Sequence, residues 1–257
     1  MPWNEEAQLH SKPEESKAEL NTVIEEHPVF NCTIPQSILK TYSELLRYYD
    51  NRKDWKSLRE DELWHSLCLC ILSSNVPYEM AESAFTHLRK KELLGYDTMS
   101  ENDFARRISA ELATPICLPM RRNGSLRKYR FPNTRAKHIV EAARYLYFEK
   151  SGLRSILSSF HSDTEARDYL AAYVPGIGLK EASNFLRNVK YSDSLAIVDT
   201  HIMSFLKEVS LLPDIGRGAM TRKKYIMVET ALRQICTNMG FNLSILDLAI
   251  WQCMRSK

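Results

Sequence analysis

Lys180 and Asp199 are separated in the sequence but can face each other across a hairpin, with an amine and a carboxylate at its mouth. A V-P-G-I-G turn over residues 174–178 lies just before Lys180. Proline fixes one backbone angle, whereas Gly176 and Gly178 permit positive φ and leave their amides uncovered by side chains. Because uncovered N–H groups at the start of a helix attract anions, this turn predicts an anion-binding site.

The residues after the turn predict a helix that begins near Lys180. Their apolar positions recur at the i, i+3, i+4, i+7 spacing of a helix with one buried face. These positions are Ala182, Phe185, Leu186 and Val189. A short apolar run over residues 195–198 then leads to Asp199, at the start of a further helix. The stretch is typical of a helix-hairpin-helix, a motif that favours DNA as the ligand but does not by itself indicate an enzyme.

A second feature suited to phosphate backbones is the basic stretch from Arg121 to Lys137, which holds seven Lys or Arg and no acidic residue. Basic residues flank an Asn-Gly pair within it, which predicts a small β-hairpin that contacts DNA. Arg127 and Lys128 are the candidate contacts. Cations placed along a phosphate backbone release counterions and so promote binding. A solvated surface loop is the alternative, and the nearby helix-hairpin-helix favours DNA.

Charge is unevenly distributed along the 257 residues. Residues 1–28 hold seven Glu and two Lys, which gives a net charge of −5. Because the whole chain carries +3, the remaining residues carry +8. This Glu-rich start predicts a polar N-terminal extension and lacks the apolar core of a signal peptide. The longest apolar runs, such as residues 67–72, are too short to cross a bilayer. We therefore expect an intracellular protein without membrane association, in the cytoplasm or nucleoid, or in the nucleus of a eukaryote.

The six cysteines show no metal-ligand spacing. They are Cys32, Cys68, Cys70, Cys117, Cys236 and Cys253. Cys68 and Cys70 lie inside an apolar run, where thiols pack as small hydrophobic groups. The sequence therefore predicts a reduced protein with no metal.

Several motifs together carry a resemblance to a known family. They are V-P-G-I-G-x-K at 174–180 with V-D-T-H at 198–201, K-E-A-S-N-F-L-R-N-V at 180–189, L-C-L-C-I-L-S-S-N at 67–75, R-F-P-N-T-R-A at 130–136, and L-D-L-A-I-W at 246–251. The first pair resembles the signature of the helix-hairpin-helix (HhH-GPD) DNA glycosylases. The others resemble the type-2 8-oxoguanine DNA glycosylase/lyases within that superfamily. The resemblance spans residues 63–257.

The resemblance implies two helical lobes that face each other across a catalytic cleft, with the helix-hairpin-helix at their junction. An all-α fold also agrees with the sequence, since helical spacing recurs and alternating strand-like runs are almost missing. Residues 58–190 would form the lobe that ends in the helix-hairpin-helix. Residues 29–57 and 191–257 would form the other lobe, with residues 1–28 outside both.

In the resembled family an amine attacks C1′ of a damaged nucleoside, expels the base and holds the sugar as a Schiff base, after which β-elimination can nick the strand. The resemblance assigns the amine to Lys180 and stabilisation of the cationic sugar to Asp199. The amine must be neutral to attack. A helix N-terminus disfavours a positive charge by only about 0.3–1 kcal/mol, so burial in the cleft has to supply most of the decrease in the lysine pKa. A solvent-facing lysine and a plain N-cap are the alternatives.

The resemblance also implies how DNA is held. Gly176 and Gly178 would contact phosphate through their amides. We expect no cofactor, and a monovalent cation bound at the hairpin is left open. Trp251 is a candidate to stack on the damaged base, because reaching C1′ requires flipping the nucleotide into a pocket. An ordinary core aromatic is the alternative for Trp251. Asn75 is a further candidate contact, to the minor groove or the opposite base.

The base pocket has to distinguish 8-oxoguanine from guanine. N7 of the lesion carries a hydrogen and donates, whereas N7 of guanine accepts, so the pocket needs an acceptor. In the resembled subfamily the C-terminal lysine helps to read this difference, and this chain ends in Lys257. We expect the Lys257 terminal carboxylate, or a backbone carbonyl beside it, to accept the N7 hydrogen.

The sequence therefore predicts a bifunctional enzyme of base-excision repair. It would act as a monomer on double-stranded DNA that contains an oxidised base. Two alternatives stay open. One is the same chemistry on a different damaged base, and the other is a non-catalytic DNA-binding module. The presence of both Lys180 and Asp199 argues against the second.

Overall fold

Helices dominate the part of the chain that the structure describes. The computed structural model describes residues 34–49, 53–98, 103–209 and 218–255. Its α-helices are α1 Gln36–Tyr49, α2 Glu60–Ser73, α3 Tyr78–Lys90, α4 Phe104–Leu112, α5 Pro132–Ala143, α6 Leu153–Ser158, α7 Asp163–Tyr173, α8 Leu179–Asn188, α9 Thr200–Glu208, α10 Arg222–Met239 and α11 Leu243–Arg255. The predicted all-α fold is confirmed. Of these helices, none combines the length and the hydrophobicity needed to span a membrane.

The remaining regular structure is short. Strands β1 Pro115–Cys117 and β2 Arg127–Lys128 pair antiparallel, which confirms the β-hairpin predicted from the Asn-Gly turn. Gly124 in that turn has a φ of 77°, a conformation that glycine adopts without strain. Two 3-10 turns, Trp55–Ser57 and Tyr96–Thr98, connect helices, and a π-helical segment, Arg144–Glu149, continues α5.

The buried apolar side chains form two clusters. The first is built from residues between Trp55 and Leu195, and the second joins α1 to the chain that follows Ala196. The exact lobe boundaries predicted from the resemblance stay a prediction. The predicted extension over residues 1–28 lies outside the described residues.

Helix α2 is the centre of the first cluster. Its apolar residues lie on all sides rather than on one stripe, and Leu63, Trp64, Leu67 and Ile71 are fully buried. A helix that is apolar all round has to lie inside the core. The indole N–H of Trp64 donates to the Leu94 carbonyl at 2.8 Å, so this large side chain is buried without an unpaired polar group. Ser74 and Asn75, which follow the end of α2, line a cavity together with Lys180.

A buried ion pair connects the two clusters. Arg167 of α7 donates to the Glu229 carboxylate of α10, and both side chains are almost fully buried. Burial raises the pKa of Glu229, while the nearby charges of Arg167 and Arg233 oppose that shift. Removing one partner of a buried pair leaves an uncompensated charge, at a cost of about 3–5 kcal/mol. The contact therefore holds α7, the first arm of the helix-hairpin-helix, against the second cluster.

Candidate active site

The helix-hairpin-helix consists of α7, the turn over residues 174–178 and α8. Gly176 has a φ of 81°, in the left-handed region that favours glycine. A side chain would not fit there in any case, because a Cβ on Gly176 would lie 2.7–2.8 Å from the His138 side chain of α5. Burial, and then the charge of Arg135, lower the pKa of His138, so a neutral ring supports the turn. The sequence reasoning gave His138 no role.

Gly178 meets a different constraint. Its φ of −104° is open to any residue, but a Cβ would lie 3.2 Å from Oε2 of Glu181. Gly178 is the N-cap of α8 and forms no side-chain cap. The two predicted phosphate-binding glycines therefore both lie at the start of α8, where backbone amides are uncovered, and only Gly176 is required by its backbone and by a close neighbour.

Lys180 lies in the first turn of α8 and lines a cavity of about 330 Å³. Its Nζ atom lies 3.2 Å from Oε1 of Glu181, and 32% of its side chain is exposed. The cavity is also lined by Asn75 at the end of α2, by Val198 and by Tyr225 of α10. The first prediction, that Lys180 opens the helix at a cleft, agrees with this geometry. The burial expected to neutralise its amine is only partial.

Asp199 is the N-cap of α9. Its Oδ1 atom accepts the amides of His201 and Ile202 at 2.8 and 2.9 Å. Both bonds use the same oxygen, so Oδ2 has no hydrogen-bond donor among the described residues. Val198, the residue before Asp199, lines the cavity that contains Lys180. Asp199 therefore caps a helix through one carboxylate oxygen, and it follows directly after a residue that lines the cavity, although it does not line the cavity itself.

An extended segment over residues 195–198 carries Asp199 to its place. The Ile197 amide donates to Oδ2 of Asp247 at 2.5 Å, and the Tyr225 hydroxyl donates to the Ala196 carbonyl at 2.8 Å. The same hydroxyl lies 3.2 Å from Oγ of Ser183 on α8. Sequence reasoning assigned no role to Tyr225 or Asp247. The available signal was an acidic residue inside the apolar L-D-L-A-I-W run of α11.

Asp247 is a buried carboxylate, 3% exposed, that serves this segment. Burial, together with the nearby charge of Asp199, raises the pKa of Asp247 to about 6. The charge of Arg187 and the hydrogen bond from Ile197 act in the opposite direction. Nη1 of Arg187 on α8 donates to Oδ1 of Asp247 at 3.3 Å. Asp247 therefore joins α8, α11 and the segment that precedes Asp199.

The β-hairpin forms a second, basic cavity of about 570 Å³. Arg127 and Lys128 are exposed and line it, as do Arg121 and Arg130. The opposite wall is the start of α3, Pro77 and Met80. Four cations around one cavity favour an anionic ligand.

The β-hairpin is tied to the end of α2, next to the Lys180 cavity. Tyr129 donates to the Leu72 carbonyl at 2.6 Å, and Arg135 donates to the Ser74 carbonyl at 2.9 Å. Asn75 follows with a φ of 60°, which is uncommon outside glycine. Ser74 and Asn75 line the Lys180 cavity, and Arg130, which lines the basic cavity, donates to the Asn75 carbonyl at 3.3 Å, so the two cavities are neighbours.

Trp251 lies on α11 among aromatic and cationic neighbours rather than in the Lys180 cavity. Its ring meets Tyr78 of α3 edge-on at 5.9 Å and His201 of α9 at 6.4 Å. The guanidinium of Arg255 lies 4.8 Å from the ring centre. The second predicted base-pocket residue, Lys257, lies outside the described residues.

The cysteines give no sign of a cofactor site. Cys68, Cys70, Cys117 and Cys236 are buried, and the described cysteines are all free thiols. In the described ranges no group of three or more His, Cys, Asp or Glu side chains could hold a metal ion. The predicted monovalent cation at the hairpin stays a prediction.

A glycine-rich turn that opens a helix with lysine, beside a helix capped by aspartate, belongs to the helix-hairpin-helix class of DNA glycosylases. Residues 120–241 match the family model described as 8-oxoguanine DNA glycosylase. The chain is 34% identical over 194 residues to the 8-oxoguanine DNA glycosylase/AP lyase of Korarchaeum cryptofilum, covering 75% of this chain and 79% of that protein. It is 32% identical over 219 residues to the enzyme of the same name from Methanocaldococcus jannaschii, covering 84% and 93%.

Solved structures agree with these relatives. The M. jannaschii 8-oxoguanine DNA glycosylase superposes with a TM-score of 0.65 at 32% identity, over 86% of this chain and 94% of that one. A second structure of the M. jannaschii enzyme, in complex with a 15mer DNA containing 8-oxoguanine, also gives 0.65. The Thermotoga maritima 8-oxoguanine DNA glycosylase gives 0.60 at 25% identity, over 95% and 98%. The chain belongs to the 8-oxoguanine DNA glycosylase family, which confirms the resemblance in its motifs.

The two glycines of the turn should respond differently to substitution. Gly176→Ala places a Cβ against His138 and forces a left-handed backbone on alanine, so we expect a loss of more than about 1 kcal/mol of stability. Gly178→Ala is the matched control, since its backbone is unstrained and its Cβ meets only the end of the Glu181 side chain. Urea unfolding measures both. Equal losses would contradict the steric role of His138.

Proposed function

We propose that this chain is a bifunctional enzyme of base-excision repair that removes 8-oxoguanine from double-stranded DNA and then nicks the strand. The observation that carries the proposal is the Lys180 amine in a cavity bounded by Val198, the neighbour of Asp199. Relatives at 34% and 32% identity are named 8-oxoguanine DNA glycosylase/AP lyases, which supports both activities.

The proposed reaction uses Lys180 as the nucleophile. Its neutral amine attacks C1′ of the damaged nucleoside, and the bond from C1′ to the base breaks. The C1′–O4′ bond then breaks as the amine loses a proton and O4′ gains one, which opens the sugar ring and leaves it bound to Lys180 as a Schiff base. Loss of a proton from C2′ then breaks the bond to the 3′ phosphate by β-elimination. The carboxylate of Asp199 stabilises the cationic sugar through Oδ2, the oxygen that does not cap α9.

DNA would be held at two places. Backbone amides of the turn, at Gly176 and Gly178, bind a phosphate of the damaged strand, with a monovalent cation as an added component of the hairpin. Arg127 and Lys128 bind phosphates along the basic cavity. A single chain contains both phosphate-binding places together with Lys180 and Asp199, which supports action as a monomer. The enzyme would act inside the cell, where its DNA substrate lies.

Recognition of the base is proposed to involve Trp251 and Lys257. Trp251 already has the Arg255 guanidinium near one face, so a base would stack on the other face or displace Arg255. The terminal carboxylate of Lys257 would accept the N7 hydrogen of 8-oxoguanine. Guanine would leave that acceptor unpaired, which costs about 1–3 kcal/mol for a buried group.

A panel of duplexes, each with one lesion, tests the function. We expect base release and nicking on the 8-oxoguanine duplex, and borohydride should trap a covalent adduct. Lys180→Gln should abolish the adduct while DNA binding is retained. Lys207→Gln, an exposed lysine at the end of α9, is the control and should react normally. An adduct at full yield in Lys180→Gln would overturn the role of Lys180, and reaction only on another lesion would overturn the substrate.

Asp199→Asn separates the cap from the chemistry. Asparagine caps helices as well as aspartate, so we expect the melting temperature to change little. The loss of charge should slow single-turnover base release about 10²–10⁴-fold. Asp54→Asn is the control, since Asp54 caps the 3-10 turn Trp55–Ser57 away from the cleft. An unchanged rate for Asp199→Asn would mean that Asp199 is only a cap.

Neutralising Arg127 and Lys128 together should reduce the salt dependence of DNA binding. Each lost phosphate contact lowers the slope of log K against log salt by about 0.9, so the double change to Gln should lower it by about 2. The control is Arg89 with Lys90, an exposed Arg-Lys pair at the other end of α3 from the basic cavity. Equal slopes in both double variants would place the β-hairpin away from DNA.

A further inference from the structure

Glu181 is a buried acid at the mouth of the cleft to which the proposed function gives no role. Only 8% of the residue is exposed, and it lines the same cavity as Lys180. Its Oε1 atom lies 3.2 Å from Nζ of Lys180, and its Oε2 atom lies over Gly178. Adjacent residues of a helix point in different directions, so this contact requires both side chains to turn toward each other.

The reaction needs a proton acceptor at that point. An unperturbed lysine is protonated at neutral pH, and an ammonium has no lone pair with which to attack C1′. Lys180 is only partly buried, with about a third of its side chain exposed. A carboxylate in direct contact with the ammonium is the group placed to take it.

We infer that Glu181 is a catalytic residue, the base that deprotonates Lys180 for attack; this inference rests on the proposed function. One N–H bond of Lys180 breaks as an O–H bond forms on Oε1, so an ammonium and a carboxylate become an amine and a neutral acid. The Nζ lone pair then attacks C1′, and the electrons of the broken bond leave with the base. The proton on Glu181 is available to neutralise the departing base.

Covering the cavity with DNA drives the proton transfer in the required direction. Removing water disfavours separated charges, and the transfer converts two charged groups into two neutral ones. In the free protein the pair is partly open to water. The nucleophile is thus generated when the substrate is seated.

The other titratable and charged groups around Glu181 are unsuited to the same step. Burial, and then the charge of Glu181, raise the pKa of the Cys70 thiol on α2 to about 12, so it is no acceptor. Burial also raises the pKa of Tyr225 on α10. The two arginines nearby are cations with their own carboxylate partners. These are Arg222 of α10, 2.6 Å from Asp168, and Arg187 of α8, which binds Asp247.

The test is the rate of single-turnover base release by Glu181→Gln on an 8-oxoguanine duplex, followed from neutral to alkaline pH. Glutamine keeps the shape but is no base, so we expect a fall of about 10²–10⁴-fold at neutral pH. The deficit should shrink about tenfold per pH unit as solvent removes the proton instead. Glu181→Asp keeps a carboxylate and should restore the wild-type shape of the pH profile. Glu111→Gln, a carboxylate with lysine and histidine neighbours away from the cleft, is the control.

The outcomes separate the inference from the function on which it rests. A Glu181→Gln rate equal to or above that of the wild type would show that Glu181 only stabilises the ammonium, and would overturn the inference. A loss that is the same at every pH, or that Glu181→Asp shares, would assign Glu181 a structural role and overturn it too. Absence of base release and of the trapped adduct in the wild type would overturn the proposed function, and the inference with it.

Discussion

The hydrogen bonds that hold residues 195–198 are the constraint on which the site depends. The chain leaves the first hydrophobic cluster at Leu195 and enters the second at Ala196, so this segment joins the two. It belongs to no helix or strand, and Asp247 and Tyr225 supply the hydrogen bonds to the Ile197 and Val198 amides and the Ala196 carbonyl. Because the Tyr225 hydroxyl also contacts Ser183 on α8, one group ties the helix that carries Lys180 to the segment that carries Asp199.

The charges around the cleft divide into those that hold structure and those left to react. Arg167 with Glu229 and Arg187 with Asp247 are buried pairs, and a buried charge is tolerated only when it is paired. Their partners lie on different helices, so each pair fixes the angle between two elements. Lys180 and Glu181 are neighbours on one helix and remain partly open to water. Their contact joins no two elements, and it is the pair that a seated substrate would desolvate.

Local patterns in the sequence predicted the helices well, because apolar spacing and caps act over a few residues. The predicted helices after the glycine-rich turn and after Asp199 are α8 and α9, and the Asn-Gly turn predicted the β-hairpin. The same patterns identified Lys180 and Asp199 but missed their supports. Asp247 bonds a backbone amide at residue 197, and His138 packs on Gly176, so each acts on a partner far along the chain. A polar residue in an apolar helix signals that a partner exists without saying which one.

The structural role of Asp199 supports the chemical role proposed for it. A carboxylate that reacts must be held within a narrow range of positions, and a free side chain would spend most of its time outside it. Capping α9 through Oδ1 fixes the plane of the carboxylate, which leaves Oδ2 at a set place without a donor among the described residues. The cap bonds are made by backbone amides, so no further side chain is needed to orient the acid. The cap is therefore the means by which the fold preorganises the oxygen proposed to stabilise the sugar cation.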